Sequence, residues 1–189
     1  VLRGRTTDAQ RAEALFALSL WVPFTRQREF YDMVLALVPR LEAANPTRRA
    51  DLQRLFAIAL ARTGQPAEVG AIFEQAHGNA MDSEARERVV RAHCWWLTHT
   101  GQFAELDALA ASNMPQSTTR QQGILLSYQG TVAFHRGQGA LSRDLHLKSA
   151  AIARECRNVI GEAHSELNLG GALCILGQLD QGRRHFRRA

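Results

Sequence analysis

The sequence predicts an all-α fold built from repeated helix pairs, and three observations carry that prediction. The chain of 189 residues contains 29 Ala and 23 Leu but only 15 Val and Ile, a bias that favours helix over sheet. The dipeptide Gly-Gln recurs at positions 64, 101, 137 and 177, at separations of 37, 36 and 40 residues. Apolar residues at helical spacing flank these dipeptides, so the repeated unit is a helix, a tight turn and a second helix.

The unit around Gly64 shows the pattern on both sides of its turn. Apolar residues stand at i, i+3, i+4 and i+7 before the turn, at Leu52, Leu55, Phe56 and Ala59, and after it, at Val69, Ile72, Phe73 and Ala76. A glycine in the left-handed conformation ends a helix at low cost, so each turn glycine is expected to have a positive φ. Thr47, Ser83 and Ser117 are the expected N-caps of three first helices.

The last unit carries the clearest motif, with a small residue in its first helix, a glycine turn, and a second helix with small, aromatic and Ala positions. Gly170, Gly177, Gly182, Phe186 and Ala189 occupy these places. This pattern resembles the tetratricopeptide repeat, in which the small residues let paired helices approach closely. The units are longer than the ~34 residues usual for that repeat. They are more similar to the long repeats of bacterial multidomain transcriptional regulators and signalling ATPases, such as the maltose-activator and LuxR types.

The resemblance implies a right-handed α-α superhelix of about five helix-turn-helix repeats. The expected repeats span residues 7–45, 46–80, 81–115, 116–157 and 158–189. Residues 148–163 are expected to lead straight from one repeat into the first helix of the next. The chain begins without Met, and we expect it to be a fragment of a longer protein.

Composition narrows the setting without identifying a function. The 23 basic residues exceed the 18 acidic ones, giving a formal net charge of +5, and 22 of the 23 are Arg. The Arg skew is typical of a GC-rich bacterial genome, and the charge permits acidic partners. Three cysteines with no CxxC pair favour a reducing cytoplasm over a disulfide-bonded fold.

No pattern typical of catalysis, of metal binding or of sequence-specific DNA reading occurs in the chain. The seven histidines lack HExxH or Cys/His knuckle spacing, and no GxSxG or phosphate-loop motif is present. We therefore expect no enzyme activity, no cofactor and no metal. The basic terminal helix around Arg183 and Arg184 is expected to be a solvent-facing surface rather than a nucleic-acid site, and no segment is long enough to span a membrane.

Binding residues follow from the resemblance, because tetratricopeptide ligands contact fixed positions of the first helices. Counted from the turn glycines, these positions hold Arg54, Arg62, Arg88, Arg91, Trp95, His99, Tyr128, Phe134, His135, His164 and Asn168. Arg offers a planar fork for carboxylate or phosphate, and the aromatic residues offer a stacking surface. Alternatively, the arginines form an ordinary solvated helix face. In the adjacent pair Trp95 and Trp96, either one ring faces the groove or both pack between helices.

These observations predict a non-catalytic scaffold domain of a bacterial cytoplasmic regulator. Its groove would bind a segment of a partner protein or of another domain of the same chain. The alternative is a sensor domain for a small anionic inducer. Neither interpretation involves direct nucleic-acid contact or a membrane.

Overall fold

The chain is all-α in a computed structural model that describes residues 7–19, 27–42 and 45–189, and no strand occurs within these ranges. The all-α prediction is therefore confirmed. The helices are α1 (Asp8–Ser19), α2 (Gln27–Leu41), α3 (Arg49–Arg62), α4 (Val69–Asn79), α5 (Ser83–His99), α6 (Phe103–Asn113), α7 (Thr119–His135), α8 (Gly139–Glu155), α9 (Val159–Ile175) and α10 (Leu179–Phe186). Each predicted repeat range contains two of these helices. No helix in the described part of the chain has the length and apolarity needed to cross a membrane.

The helices belong to two compact units, residues 1–96 and residues 97–189. Each unit has its own apolar interior. In the first unit, Leu15, Val34, Val38, Leu52 and Phe73 are completely buried. In the second unit, Leu106, Leu125, Val132, Leu169 and Leu173 fill the same role. These are the apolar stripes that the helical spacing predicts.

The turns within the helix pairs share one geometry. Gly64, Gly101, Gly137 and Gly177 have φ values of 82°, 72°, 73° and 76°, as predicted for the left-handed conformation. After each of them, the Gln amide donates a hydrogen bond to the carbonyl five residues earlier, at 2.9 Å in all four turns. This bond satisfies a carbonyl that the end of the helix would otherwise leave unpaired, which defines the Schellman motif.

The same turn also forms where no glycine marks it. The expected direct passage through residues 148–163 is wrong, because α8 ends at Glu155 and α9 begins at Val159. Arg157 adopts a φ of 53° in this break, and the Asn158 amide donates to the Ala153 carbonyl at 2.8 Å. The Asn158 side chain then accepts from the Gly161 amide at 3.1 Å and caps α9. Side-chain capping and the turn bond thus end one helix and start the next without glycine.

The predicted N-caps lie one or two residues away from the caps that form. Asn45, Asp82 and Thr118 accept a hydrogen bond from the amide three residues further on, at 3.3, 2.6 and 3.3 Å. Asn45 caps the short 3-10 turn Pro46–Arg48, in which Thr47 lies, and α3 then begins without a side-chain cap. Ser83 is already the first residue of α5. Gln121 completes a capping box with Thr118, which gives this site an advantage over Ser117.

Small residues bring the helices of the second unit close together, as the resemblance implies. A methyl group on Gly182 would lie 2.8 Å from the Cys174 sulfur and 2.9 Å from the Gly170 carbonyl oxygen. On Gly130, it would lie 2.8 Å from the imidazole of His146, which is 1% exposed. The backbones of α9 and α10, and the pair α7 and α8, therefore pack at a separation that a larger residue would prevent.

Candidate functional site

Arginines from α3 and α5 converge on one buried carboxylate in the first unit. Asp51 is 1% exposed, and Arg88 donates two hydrogen bonds to its two carboxylate oxygens, each at 2.8 Å. This fork geometry is the strongest form of an Arg–carboxylate pair. The contact joins residues 37 positions apart, so it holds α3 against α5. We call Arg54, Arg62, Arg88, Arg91 and Trp95 the arginine face, since all five come from these two helices.

Arg54 is the most buried cation of the arginine face. Its residue is 8% exposed, and its Nε lies 3.5 Å from Asp51 Oδ1, beyond a good hydrogen bond, without another acceptor among the described residues. Burial lowers the pKa of the Arg54 guanidinium to about 10, and the positive charges of Arg91 and Arg88 act in the same direction against the attraction of Asp51. One carboxylate therefore compensates incompletely for the cations gathered around it.

The outer cations of the arginine face remain available to a ligand. Arg62 and Arg91 are exposed, and neither forms an ion pair with a described residue. The Arg62 guanidinium lies 4.4 Å from the centre of the Trp95 ring, a cation–π contact that keeps the charge in place. Besides Asp51, the carboxylates near this face include exposed Glu84, 3.6 Å from Arg88, and Asp82, whose charge also raises the pKa of Arg88.

A residue of α1 that the sequence did not single out extends this surface. The Phe16 ring lies beneath two guanidinium groups, 4.3 Å from that of Arg48 and 5.2 Å from that of Arg88. Arg48 also donates to Glu13 at 2.9 Å. Phe16 stands on an apolar helix pattern, so its sequence context indicates a core residue and hides this role.

The two adjacent tryptophans take different environments. Trp95 is half-buried beneath Arg62, whereas Trp96 is 8% exposed and packs with its ring centre 6.2 Å from Phe73 and 5.9 Å from His93. Of the two alternatives, the structure favours one ring on the helix face and one between helices. The 100° step between neighbouring helical residues produces this division.

A pair of histidines joins α4 to α5 beside Trp96. His77 Nε2 and His93 Nδ1 lie 3.0 Å apart, and the His93 ring stacks on Phe73 with a centroid distance of 4.7 Å. Burial lowers the pKa of His93 to about 4 and also lowers the pKa of His77. When both imidazoles are neutral, the N–H of one ring donates a hydrogen bond to the bare nitrogen of the other. This hydrogen bond is structural.

Three predicted binding residues meet at a cavity in the second unit. Phe134, His135 and Asn168 line a space of about 230 Å³ among α7, α8, α9 and α10. His135 stacks on Phe103, with ring centres 5.2 Å apart, and meets the Phe134 ring edge-on. These three residues, selected by counting from the turn glycines, therefore line one cavity.

The other predicted residues of the second unit do not line this cavity. His99 and His164 are exposed and Tyr128 is half-buried. The cavity also includes His146, which sequence reasoning missed and whose pKa burial lowers to about 4. Gly130 in the middle of α7 was its signal, since a mid-helix glycine often marks close packing of a large side chain.

Acid is expected to destabilise the fold through the buried histidines. His93 and His146 have pKa values of about 4 when folded, below the ~6.5 of an unfolded histidine, so the unfolded chain binds more protons between these limits. From pH 6 to pH 5, the free energy of unfolding should fall by about 2 kcal/mol from these two residues together. Urea denaturation across this range measures the slope. The His146→Gln variant should roughly halve this histidine contribution, and an unchanged slope would contradict the assignment.

Among the described residues, no group of three His, Cys, Asp or Glu side chains is placed so that it could hold a metal ion. Cys94 is completely buried, and burial raises the pKa of its thiol to about 12. Such a thiol behaves as a small apolar group.

No family model matches this chain, and no curated protein is significantly similar to it.

Proposed function

We propose that this chain is a non-catalytic binding domain that captures an acidic segment of a partner protein, or of another domain of the same chain, on its arginine face. The observation that carries the proposal is the convergence of Arg54 and Arg88 on the single buried carboxylate of Asp51, with Arg62 and Arg91 exposed beside them. Arg62 and Arg91 form no ion pair with a carboxylate of the described residues. A guest that brings carboxylates would supply the missing negative charge.

The side-chain chemistry of the face fits an extended acidic peptide. Guanidinium forks recognise carboxylates in a fixed plane, and Arg62 is already oriented by the Trp95 ring. Pre-oriented side chains lose little conformational freedom on binding, which favours affinity. Aromatic residues of the guest could pack on the same surface, because Trp95 is only partly buried.

The wider setting of the proposal rests on the resemblance to long tetratricopeptide-like repeats. That resemblance supports a right-handed superhelix and a scaffold role in a bacterial cytoplasmic regulator of transcription or signalling. The five predicted repeat ranges, each containing a helix pair, support the same interpretation. The neighbouring domain would then respond to occupation of the arginine face.

A small anionic ligand is the second candidate for the same surface, because a guanidinium fork donates hydrogen bonds to phosphate as readily as to carboxylate. In that case the domain would sense an anionic inducer. Binding of an acidic peptide and binding of a small anion can be separated experimentally, since the peptide would also contact the aromatic surface.

The test is fluorescence anisotropy with a labelled peptide rich in Glu and Asp and containing one Trp. We expect saturable binding that weakens with salt, and no binding of the matched peptide in which Gln and Asn replace the acids. Arg91→Glu should weaken binding at least about tenfold, which corresponds to roughly 1.4 kcal/mol. Arg184→Glu, an identical charge change at an exposed position of α10, serves as the control.

Three results would count against the proposal: equal binding of the neutral peptide, an unaffected Arg91→Glu variant, or equal losses in both charge-reversal variants. Titration calorimetry with inorganic phosphate and with citrate tests the second candidate. Saturable anion binding that Arg91→Glu abolishes, together with absent peptide binding, would replace the peptide by a small anion.

A further inference from the structure

The cavity of the second unit has walls that differ in chemistry from the arginine face. Its apolar walls are the rings of Phe134 and Phe186 and the side chain of Leu167, and no Asp, Glu, Lys or Arg lines it. His146 is uncharged at neutral pH, because burial keeps its pKa near 4. A charged guest would lose its hydration here without gaining an opposite charge. The cavity therefore favours an uncharged guest.

Two polar groups in the wall have unused hydrogen-bonding capacity. His146 is 1% exposed, and its Nδ1 is buried without a hydrogen-bond partner among the described residues. The Asn168 side chain, half-buried, likewise forms no hydrogen bond within the described ranges. Buried polar groups are normally paired with protein, water or ligand. His146 Nδ1 is itself covered by protein atoms, so Asn168 is the group with unused hydrogen-bonding capacity that a guest can reach.

The volume of the cavity fits a single ring. An apolar cavity of roughly 150 Å³ can hold benzene, whereas drug-sized ligands occupy about 300–1,000 Å³. At about 230 Å³, this space holds one aromatic ring with a small substituent, and its partly exposed walls leave it open to solvent. Aromatic rings prefer offset or edge-on contact with one another, and the rings of Phe134 and Phe186 are available for such contact with a guest ring.

We propose that the second unit contains a binding site for a free, uncharged small molecule with one aromatic ring and one hydrogen-bonding substituent, as in phenol. The ring lies against Phe134, Phe186 and Leu167, and the substituent pairs with the Asn168 amide. This site is separate from the arginine face in residues and in ligand charge. Loss of either proposal leaves the other standing.

Gly171 provides a direct way to block the site. A methyl group on Gly171 would be 3.5 Å from Phe134 Cε2, an ordinary contact, so a larger side chain can enter the cavity without displacing backbone. Gly171→Leu should therefore fill the space that the ligand needs. Gly78→Leu is the matched control, because Gly78 is an exposed residue of α4 in the first unit, and a Cβ atom there would meet nothing within 4 Å.

The experiment uses the whole chain, with phenol as the probe in titration calorimetry and in thermal denaturation. We expect saturable phenol binding with a rise in Tm, and benzoate binding at least about tenfold more weakly because its carboxylate is charged. Gly171→Leu should abolish phenol binding, and Gly78→Leu should leave it unchanged. Asn168→Leu should weaken phenol about tenfold while leaving toluene binding intact.

Absence of saturable phenol binding to the folded wild-type chain would overturn the proposal. So would a Gly171→Leu variant that is folded by circular dichroism and still binds phenol. If benzoate binds as well as phenol, the inference of an uncharged guest is wrong. If the acidic peptide displaces phenol, the cavity receives an aromatic side chain of the partner and the free-ligand assignment is wrong.

Discussion

Replacing Asp51 by Asn is expected to lower the free energy of unfolding by about 3–5 kcal/mol. Asp51 is 1% exposed and is the carboxylate shared by the buried guanidinium of Arg54 and the bidentate Arg88. Asparagine keeps the shape and removes the charge, so both cations lose their buried counter-charge. Removing one partner of a buried ion pair is costly because the other charge stays desolvated.

Urea denaturation followed by tryptophan fluorescence measures this effect. The three Trp residues of the chain all lie within residues 1–96, so the signal reports on the first unit. Asp107→Asn is the matched control, observed by circular dichroism. Asp107 accepts from Arg136 at 2.7 Å with both side chains about two-fifths exposed, and an exposed pair contributes less than about 1 kcal/mol. Similar losses in both variants would refute the burial argument.

Replacing two glycines of the last helix pair by Ala is expected to change the free energy of unfolding in opposite directions. Gly182→Ala should destabilise the second unit by about 1–3 kcal/mol, because its methyl group would meet the Gly170 carbonyl oxygen at 2.9 Å. A backbone oxygen cannot rotate away, so α9 and α10 must move apart. Gly171→Ala should instead stabilise by about 0.5–1 kcal/mol, since Ala favours the helix and its methyl group fits.

Both variants make the same chemical change in one helix pair, so each serves as the control for the other. Chemical denaturation followed by circular dichroism gives the two free energies of unfolding. Opposite signs are the expected outcome. A loss in both variants would show that glycine is needed at both sites for a reason other than close packing. A gain in both would show that α9 and α10 can separate freely.

Part of this architecture could be predicted from local pattern. The four Gly-Gln turns adopt the expected left-handed conformation, because the turn depends on a few consecutive residues and their backbone hydrogen bonds. The turn at Arg157 escaped prediction, since an arginine in the left-handed conformation carries no compositional mark. N-caps were misplaced by one or two residues, because neighbouring Asp, Asn and Thr side chains compete for the same amides.

The sequence predicted which residues belong to the candidate sites, but not how they are arranged. Counting from the turn glycines selected Arg54, Arg88, Phe134 and Asn168, and the structure brings the first two together at Asp51 and the last two at the cavity. Counting from the turn glycines did not show that Asp51 would neutralise Arg88, while Arg91 has no ion pair among the described residues. Nor did it show that His146 lines the cavity.

The sequence by itself determined the helices, their pairing and the helical faces that carry the arginines. These properties arise from residue propensity, apolar spacing and turn chemistry within a few positions of the chain. Tertiary structure alone decided which charge is buried, which ring is covered and where a cavity remains. The reason is that the 37-residue contact of Asp51 with Arg88 depends on how side chains pack between helices far apart in sequence.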